Sequence, residues 1–161
     1  MSSNRIDVDI GGRRSLGQRV LGTFFRGYNR RLEQAIDEGS KNGIYDVLDE
    51  WKRESTDLAP LKFGTLRRGI KAELISRGNE TLTGQITATA VESNGGRRFD
   101  YAAYIHDVFP QKHGDSFAKP STPGTIPRFI DVPLEENGAK WAAAIEREIQ
   151  NTLRRRGFRG R

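Results

Sequence analysis

Two histidines, His106 and His113, stand near Asp100, Asp107 and Asp115, and in a chain without cysteine they are the obvious start of a metal site. Hydrolytic metal chemistry needs several such ligands converging, with further groups behind them to orient the rings. The spacings match no His-x-x-x-His pair on a helix, and most of the group falls in a proline-rich stretch. A polar loop is the plainer expectation. A metal-dependent hydrolase built on His106, Asp107 and His113 ranks last of three functional readings.

Other reaction signatures are missing from the sequence. No Gly-x-x-x-x-Gly-Lys-Ser/Thr loop is present to cradle phosphates, and no serine sits in a Gly-x-Ser-x-Gly elbow. The acidic pairs Asp7/Asp9, Asp49/Glu50 and Glu135/Glu136 fall on arms or helix flanks and read as solvated faces. The expectation is a non-enzyme with no catalytic residue, cofactor or metal.

Positive charge is concentrated instead. Net charge is +6, yet the last eleven residues hold Arg154, Arg155, Arg156, Arg159 and Arg161 and no acid, leaving residues 1–150 at +1. Five guanidinium groups on a loose tail suit phosphates, through charge and paired hydrogen bonds, and suit an acidic protein groove equally well. A solvated tail that only aids solubility is the third option. A small nucleic-acid-binding module acting through this tail is the second functional reading.

The framework carrying these residues has a lean composition. The chain has 161 residues, 35% hydrophobic and 30% charged, with mean hydropathy −0.69. That length suits one domain able to bury roughly 70% of its unfolded surface. No apolar run approaches the ~20 residues that span a bilayer, and the first residues lack a signal-peptide core. A soluble protein made in the cytoplasm, with no membrane partner, is expected.

Residues 1–14 read as a flexible arm. Ser15 and Gln18 fit a capping box, followed at helical spacing by Leu21, Phe24, Phe25, Tyr28, Leu32, Ala35 and Ile36, then Ile44, Val47, Leu48, Trp51 and Leu58. The apolar face stays in phase across Gly39-Ser-Lys-Asn-Gly43. One long helix softened there and two helices broken there both remain open, since each interior glycine costs about 1 kcal/mol relative to alanine. The small-x-x-x-small spelling lies among polar residues, a weak match to helix-packing motifs. Pro60 ends the segment.

Leu66, Ile70, Ala72 and Leu74 keep period two, Ser76–Asn79 signals a turn, and Leu82, Ile86, Ala88 and Ala90 alternate with threonines and Gln85. The reading is an antiparallel hairpin with one wet face, broken by Asn94-Gly-Gly96. Phe99–Asp107 fits a third strand or a short helix capped by Asp100. Residues 109–128, with four prolines, read as a long projecting loop. Trp141, Ile145, Ile149 and Leu153 mark a last helix stopping near Gly157. The fold class is therefore α+β: a single domain over 15–153, a small sheet built on a hairpin, and a basic tail over 154–161.

Three stretches, in order, resemble the bacteriophage head–tail joining and tail-completion proteins, a group that includes neck and minor capsid proteins. Leu58-Ala-Pro-Leu-Lys-Phe-Gly-Thr-Leu-Arg-Arg-Gly-Ile70 is similar to the family's helix end and Gly-x-Leu-Arg-x-Ser-Ile, with Gly69 where serine is commoner and Phe63 where threonine often stands. Tyr101-Ala-Ala-Tyr-Ile-His-Asp107 is similar to its Tyr-Ala-x-Tyr-Val. Ile126-Pro-Arg-Phe-Ile-Asp-Val-Pro-Leu134 is similar to its Pro-Phe-Leu-x-Pro-Ala, interrupted by Arg128. The resemblance covers roughly residues 28–155.

It implies a virion protein made in the host cytoplasm that forms a ring, commonly a hexamer, at the head–tail interface. The ring would join the tail to the portal-side connector around a DNA channel, with connector and tail proteins as neighbours. In that frame Tyr101, Tyr104, Ile105, Phe109, Phe117, Pro127 and Phe129 are candidate subunit or partner contacts, anchoring the loop at both ends. Arg154, Arg155, Arg156, Arg159 and Arg161 are candidate contacts to DNA or an acidic partner.

Overall fold

The computed structural model describes residues 6–9, 26–61, 64–77 and 81–158. The Ser15–Gln18 cap, Leu21, Phe24, Phe25, Phe63, Arg159 and Arg161 lie outside them. Strand β1 (Ile6–Asp9) is followed by helix α1 (Arg26–Leu58), a helical turn α2 (Thr65–Arg68), and strands β2 (Ile70–Arg77), β3 (Thr81–Ala88), β4 (Val91–Asn94) and β5 (Arg97–Asp100). A helical run then passes through α3 (Tyr101–Ala103), a π-helical turn (Tyr104–Val108) and α4 (Phe109–His113), and α5 (Asp131–Arg155) closes the order. The fold is α+β, with antiparallel hairpins between the long helices.

The chain divides into two compact units. The first comprises Met1–Ile6, Leu48–Glu73 and Gln85–Gly138, the second Asp7–Val47, Leu74–Gly84 and Ala139–Arg161. Both long helices contribute to both units. At 33 residues α1 is about 50 Å long, more than one small core can cover. In the first unit Trp51, Leu66, Ile70, Ile86, Ile105, Phe129 and Ile130 are buried, and in the second Ala35, Ile44, Trp141, Ile145, Ile149 and Thr152.

Helix α1 runs unbroken through Gly39 and Gly43, which decides between the two readings of that segment. Both glycines are buried, and their missing side chains let α5 approach. A Cβ on Gly39 would meet Ile149 Cα at 2.7 Å, and one on Gly43 would meet Ile145 Cα at 2.9 Å. The small-x-x-x-small spacing is a helix-packing seam after all. The helix is tolerated there because tertiary packing, rather than propensity, sets most helical stability.

Strand β2 begins at Ile70, so Leu66 belongs to the helical turn before it and not to the period-two run. The three-stranded sheet has the order β1-β3-β2, and Ile6–Asp9 is thus its edge strand rather than free arm. The signal was Ile6 and Val8 alternating with Asp7 and Asp9, too short to weigh alone. Strand β3 is central, and Thr83 and Gln85 are buried along with Ile86 and Ala88. The face expected to be wet is thus covered at Thr83 and Gln85, while Thr87 stays partly exposed.

Asn94-Gly-Gly-Arg97 turns the chain instead of ending the sheet. Gly95 and Gly96 have φ of 59° and 80°, the paired left-handed geometry of a two-residue type I′ hairpin, which glycine adopts without Cβ strain. Val91 pairs with Asp100 and Asn94 with Arg97 in antiparallel register. Phe99–Asp107 then satisfies both sequence readings in succession. The strand ends at Asp100, whose Oδ1 accepts from the Ala102 and Ala103 amides at 3.1 and 3.2 Å, an N-cap that starts the helix.

Candidate functional site

The loop expected over 109–128 is shorter than the sequence suggested. Its first five residues are helical, and irregular chain runs only from Gly114 to Ile130. Pro110 explains the π turn ahead of it. Proline has no N–H for the His106 carbonyl and its ring would strike that group, so the helix widens by one residue. Phe109 then stacks on both His113 and Phe117, with ring centres 4.8 and 5.0 Å apart. The aromatics fold the loop's start back on itself.

Burial separates the seven candidate contact residues. Ile105, Pro127 and Phe129 are buried in their own chain, so they are core anchors and offer no surface to a partner. Tyr101, Tyr104, Phe109 and Phe117 are half-buried and remain available in part. Burial raises the pKa of the Tyr101 hydroxyl, and the nearby Glu92 carboxylate adds to the effect. Phe99, outside the candidate set, is 46% exposed and lies against Tyr104 at 5.5 Å. Its place beside the Asn94-Gly-Gly96 break was the only signal.

The chemistry at the loop's base centres on His106. Its ring is 6% exposed and meets Phe129 edge-on at 5.4 Å. Nδ1 lies 2.9 Å from Asp107 Oδ1 and Nε2 3.4 Å from Asp131 Oδ1. Only the imidazolium can donate to both carboxylates at once. Burial pushes the His106 pKa down, but hydrogen bonds to Asp131 and Asp107 and their charges outweigh it, and the net direction is up. Asp131 moves the opposite way: the hydrogen bond from His106 lowers its pKa, burial opposes, and the charges of His106 and Arg128 add to the lowering.

Arg128 extends this network. It reaches Asp131 Oδ2 at 3.4 Å and pairs with Glu135, which stays on the exposed face that its sequence context suggested. Asp131 escapes a sequence reading because its partner lies 25 positions away and nothing local marks it. The group fits a structural clamp that ties the π turn to the first turn of α5. The rest of the histidine–aspartate group is dispersed: Asp100 caps α3, and His113 and Asp115 are exposed. Among the described residues no three His, Cys, Asp or Glu side chains are placed to hold a metal ion.

The arginine tail is not loose where it is described. Arg154 and Arg155 belong to α5, and Arg155 Nη2 bonds Glu148 Oε1 at 2.7 Å and Thr152 Oγ1 at 2.8 Å. The Arg155 hydrogen bond is the main reason the Glu148 pKa is lowered. Arg156 pairs with Glu38. Beyond it Gly157, at φ 86°, donates to Arg154 O at 3.0 Å and Phe158 donates to Leu153 O at 2.8 Å, the two bonds of a Schellman cap. Phe158 packs edge-on against Tyr28 at 5.3 Å. Among the described residues no helix is long and apolar enough to cross a membrane. Compared with protein-family models, curated proteins and solved structures, the chain matches none of them.

Proposed function

We propose that this chain is a structural protein of a tailed-bacteriophage virion. It forms a ring, six-fold by the resemblance, that joins the tail to the portal-side connector around the DNA channel, and it carries out no catalysis. The reading rests on the three resembling stretches, and one observation supports it: all three lie in the first unit, and the third touches each of the other two. The Ile126 amide of the third stretch donates to Leu58 O of the first at 2.9 Å. His106 of the second stretch meets Phe129 and Asp131 of the third.

A heterologous ring closes by rotation, one surface of each subunit meeting a different surface of the next. The test is the mass of the purified protein by light scattering, alone and co-expressed with virion proteins. A ring-sized species, or stoichiometric entry into particles, is expected. A single chain that ignores particles but binds duplex DNA would overturn the reading and promote the arginine-tail module.

A further inference from the structure

The net charge of +6 is not shared between the two units. By residue range the first holds 12 Lys/Arg and 12 Asp/Glu, and the second holds 15 and 9. Two stretches of the second unit supply the difference. Residues 10–32 contain six arginines and residues 149–161 contain five, with no lysine and no acid in either. They stand near opposite ends of the chain, and the first does not read as a basic tail.

Packing within that unit sets one stretch beside the other. Gly43 lies against Ile145 and Gly39 against Ile149, so α1 and α5 run antiparallel and the start of α1 comes level with the end of α5. Tyr28 and Phe158 meet there, ring centres 5.3 Å apart. The described arginines of this pole are Arg26, Arg30 and Arg31 on α1, and Arg154, Arg155 and Arg156 at the end of α5. Of the nearest acids, Glu148 pairs with Arg155, Glu38 with Arg156 and Asp37 with Lys41. That leaves Glu33 on α1, and Glu146 about two turns back from Arg154 on α5. Arg30, Arg31 and Arg154 are exposed and make no ion pair among the described residues. Arg26 and Arg30 are also one turn apart, a spacing at which like charges destabilise a helix. The fold gathers cations whose repulsion it does not neutralise.

We propose that this pole binds the phosphate backbone of duplex DNA, with Arg30, Arg31 and Arg154 as the contacts the fold leaves open. Arginine presents a planar fork that takes two phosphate oxygens at once, whereas lysine is a point charge. Both stretches use arginine alone, and every lysine of the chain lies outside them. An acidic protein is the competing polyanion, and it would need its carboxylates matched to one built face. Adjacent residues on a helix stand about 100° apart around its axis, so Arg30 and Arg31 occupy different faces, as do Arg154 and Arg155. Phosphates along and around a duplex suit charges spread in this way, because backbone contacts draw on charge density and carry no sequence information. The inference does not rest on the ring, since a ring and a single chain both present this pole.

Full-length wild type, R30Q/R31Q and R97Q/R98Q test this by fluorescence anisotropy with a labelled duplex across a salt series, circular dichroism confirming the fold of each. Arg97 and Arg98 are exposed arginines of the first unit, so their variant removes the same charge elsewhere. The wild type is expected to bind with an affinity that falls as salt rises. R30Q/R31Q should bind more weakly and flatten the log–log salt slope by about 2, one for each lost phosphate contact. R97Q/R98Q should match the wild type. A wild type without duplex affinity would overturn the inference. So would equal weakening in both variants, which makes net charge the only cause, and so would R30Q/R31Q matching the wild type, which leaves binding to the tail alone. Displacement of the duplex by poly-glutamate at equal charge would overturn it in favour of an acidic protein. Light scattering on the same samples reads the ring separately. A ring without duplex affinity would sink this inference alone, and duplex affinity in a single chain that enters no particle would sink the ring alone.

Discussion

Gly39 lies directly against Ile149, so close that a Cβ on the glycine would stand 2.7 Å from the Ile149 Cα. The obstacle is main chain, which cannot swing aside as a side-chain tip could. Alanine should therefore lower stability at Gly39 and Gly43 although it gains about 1 kcal/mol of helix propensity. Overpacking a close contact costs about 1–3 kcal/mol, and the net loss should be on the order of 1 kcal/mol or more. Gly138 in α5 is the control, since its added Cβ would meet only Leu134 Cδ1 at 3.8 Å. Gly138→Ala should stabilise by about 0.5–1 kcal/mol. Urea unfolding of the three variants checks both signs.

Gly69 departs from the serine common in the resembling family, and the structure supplies a reason. A Cβ there would stand 1.8 Å from the Thr89 carbonyl oxygen, and the Thr89 amide donates to Gly69 O at 3.1 Å. Gly69→Ser cannot be accommodated without forcing those two segments apart. A loss of about 3 kcal/mol is expected, read as a lower urea midpoint. An unchanged midpoint would mean that the approach of residues 69 and 89 is looser than described.

The His106 clamp should make stability depend on pH. Its folded pKa is raised, so its contribution is complete below the unfolded value of about 6.5 and fades as pH rises through the folded value. Asp131 is lowered, so its contribution is present above about 3.9 and fades as pH falls through its folded value. The clamp is strongest between those limits. His106→Gln should remove the decline on the alkaline side, flattening the stability profile between about pH 6 and pH 9 relative to wild type. A parallel profile in the variant would show that His106 is not the group responsible.

The Schellman cap predicts that the C-terminus is docked as far as Phe158. Gly157→Ala forces a side chain into left-handed backbone and should cost about 1 kcal/mol. Phe158→Ala should cost about 0.5–1.5 kcal/mol through loss of the ring contact with Tyr28. Both changes should speed tryptic cleavage at Arg154, Arg155 and Arg156. Equal cleavage rates in wild type and variants would restore the loose tail.

Residue order alone made the local features legible. The stripe of Trp141, Ile145 and Ile149, the helix face from Ala35 to Trp51 and the Asp100 cap can be read because neighbours two to four positions apart share a strand or helix face by geometry alone. The pattern was enough for an α+β chain with long helices at both ends and a hairpin between. Which faces meet is settled only in three dimensions. The Gly39–Gly43 spacing reads as a break or a seam until Ile145 and Ile149 arrive on the other side. Thr83 and Gln85 read as wet until packing covers their face of the strand. Asp131 becomes a histidine partner, and Arg156 a partner of Glu38, only when distant segments are brought together. Those pairings depend on through-space distance, and a one-dimensional pattern carries no record of it.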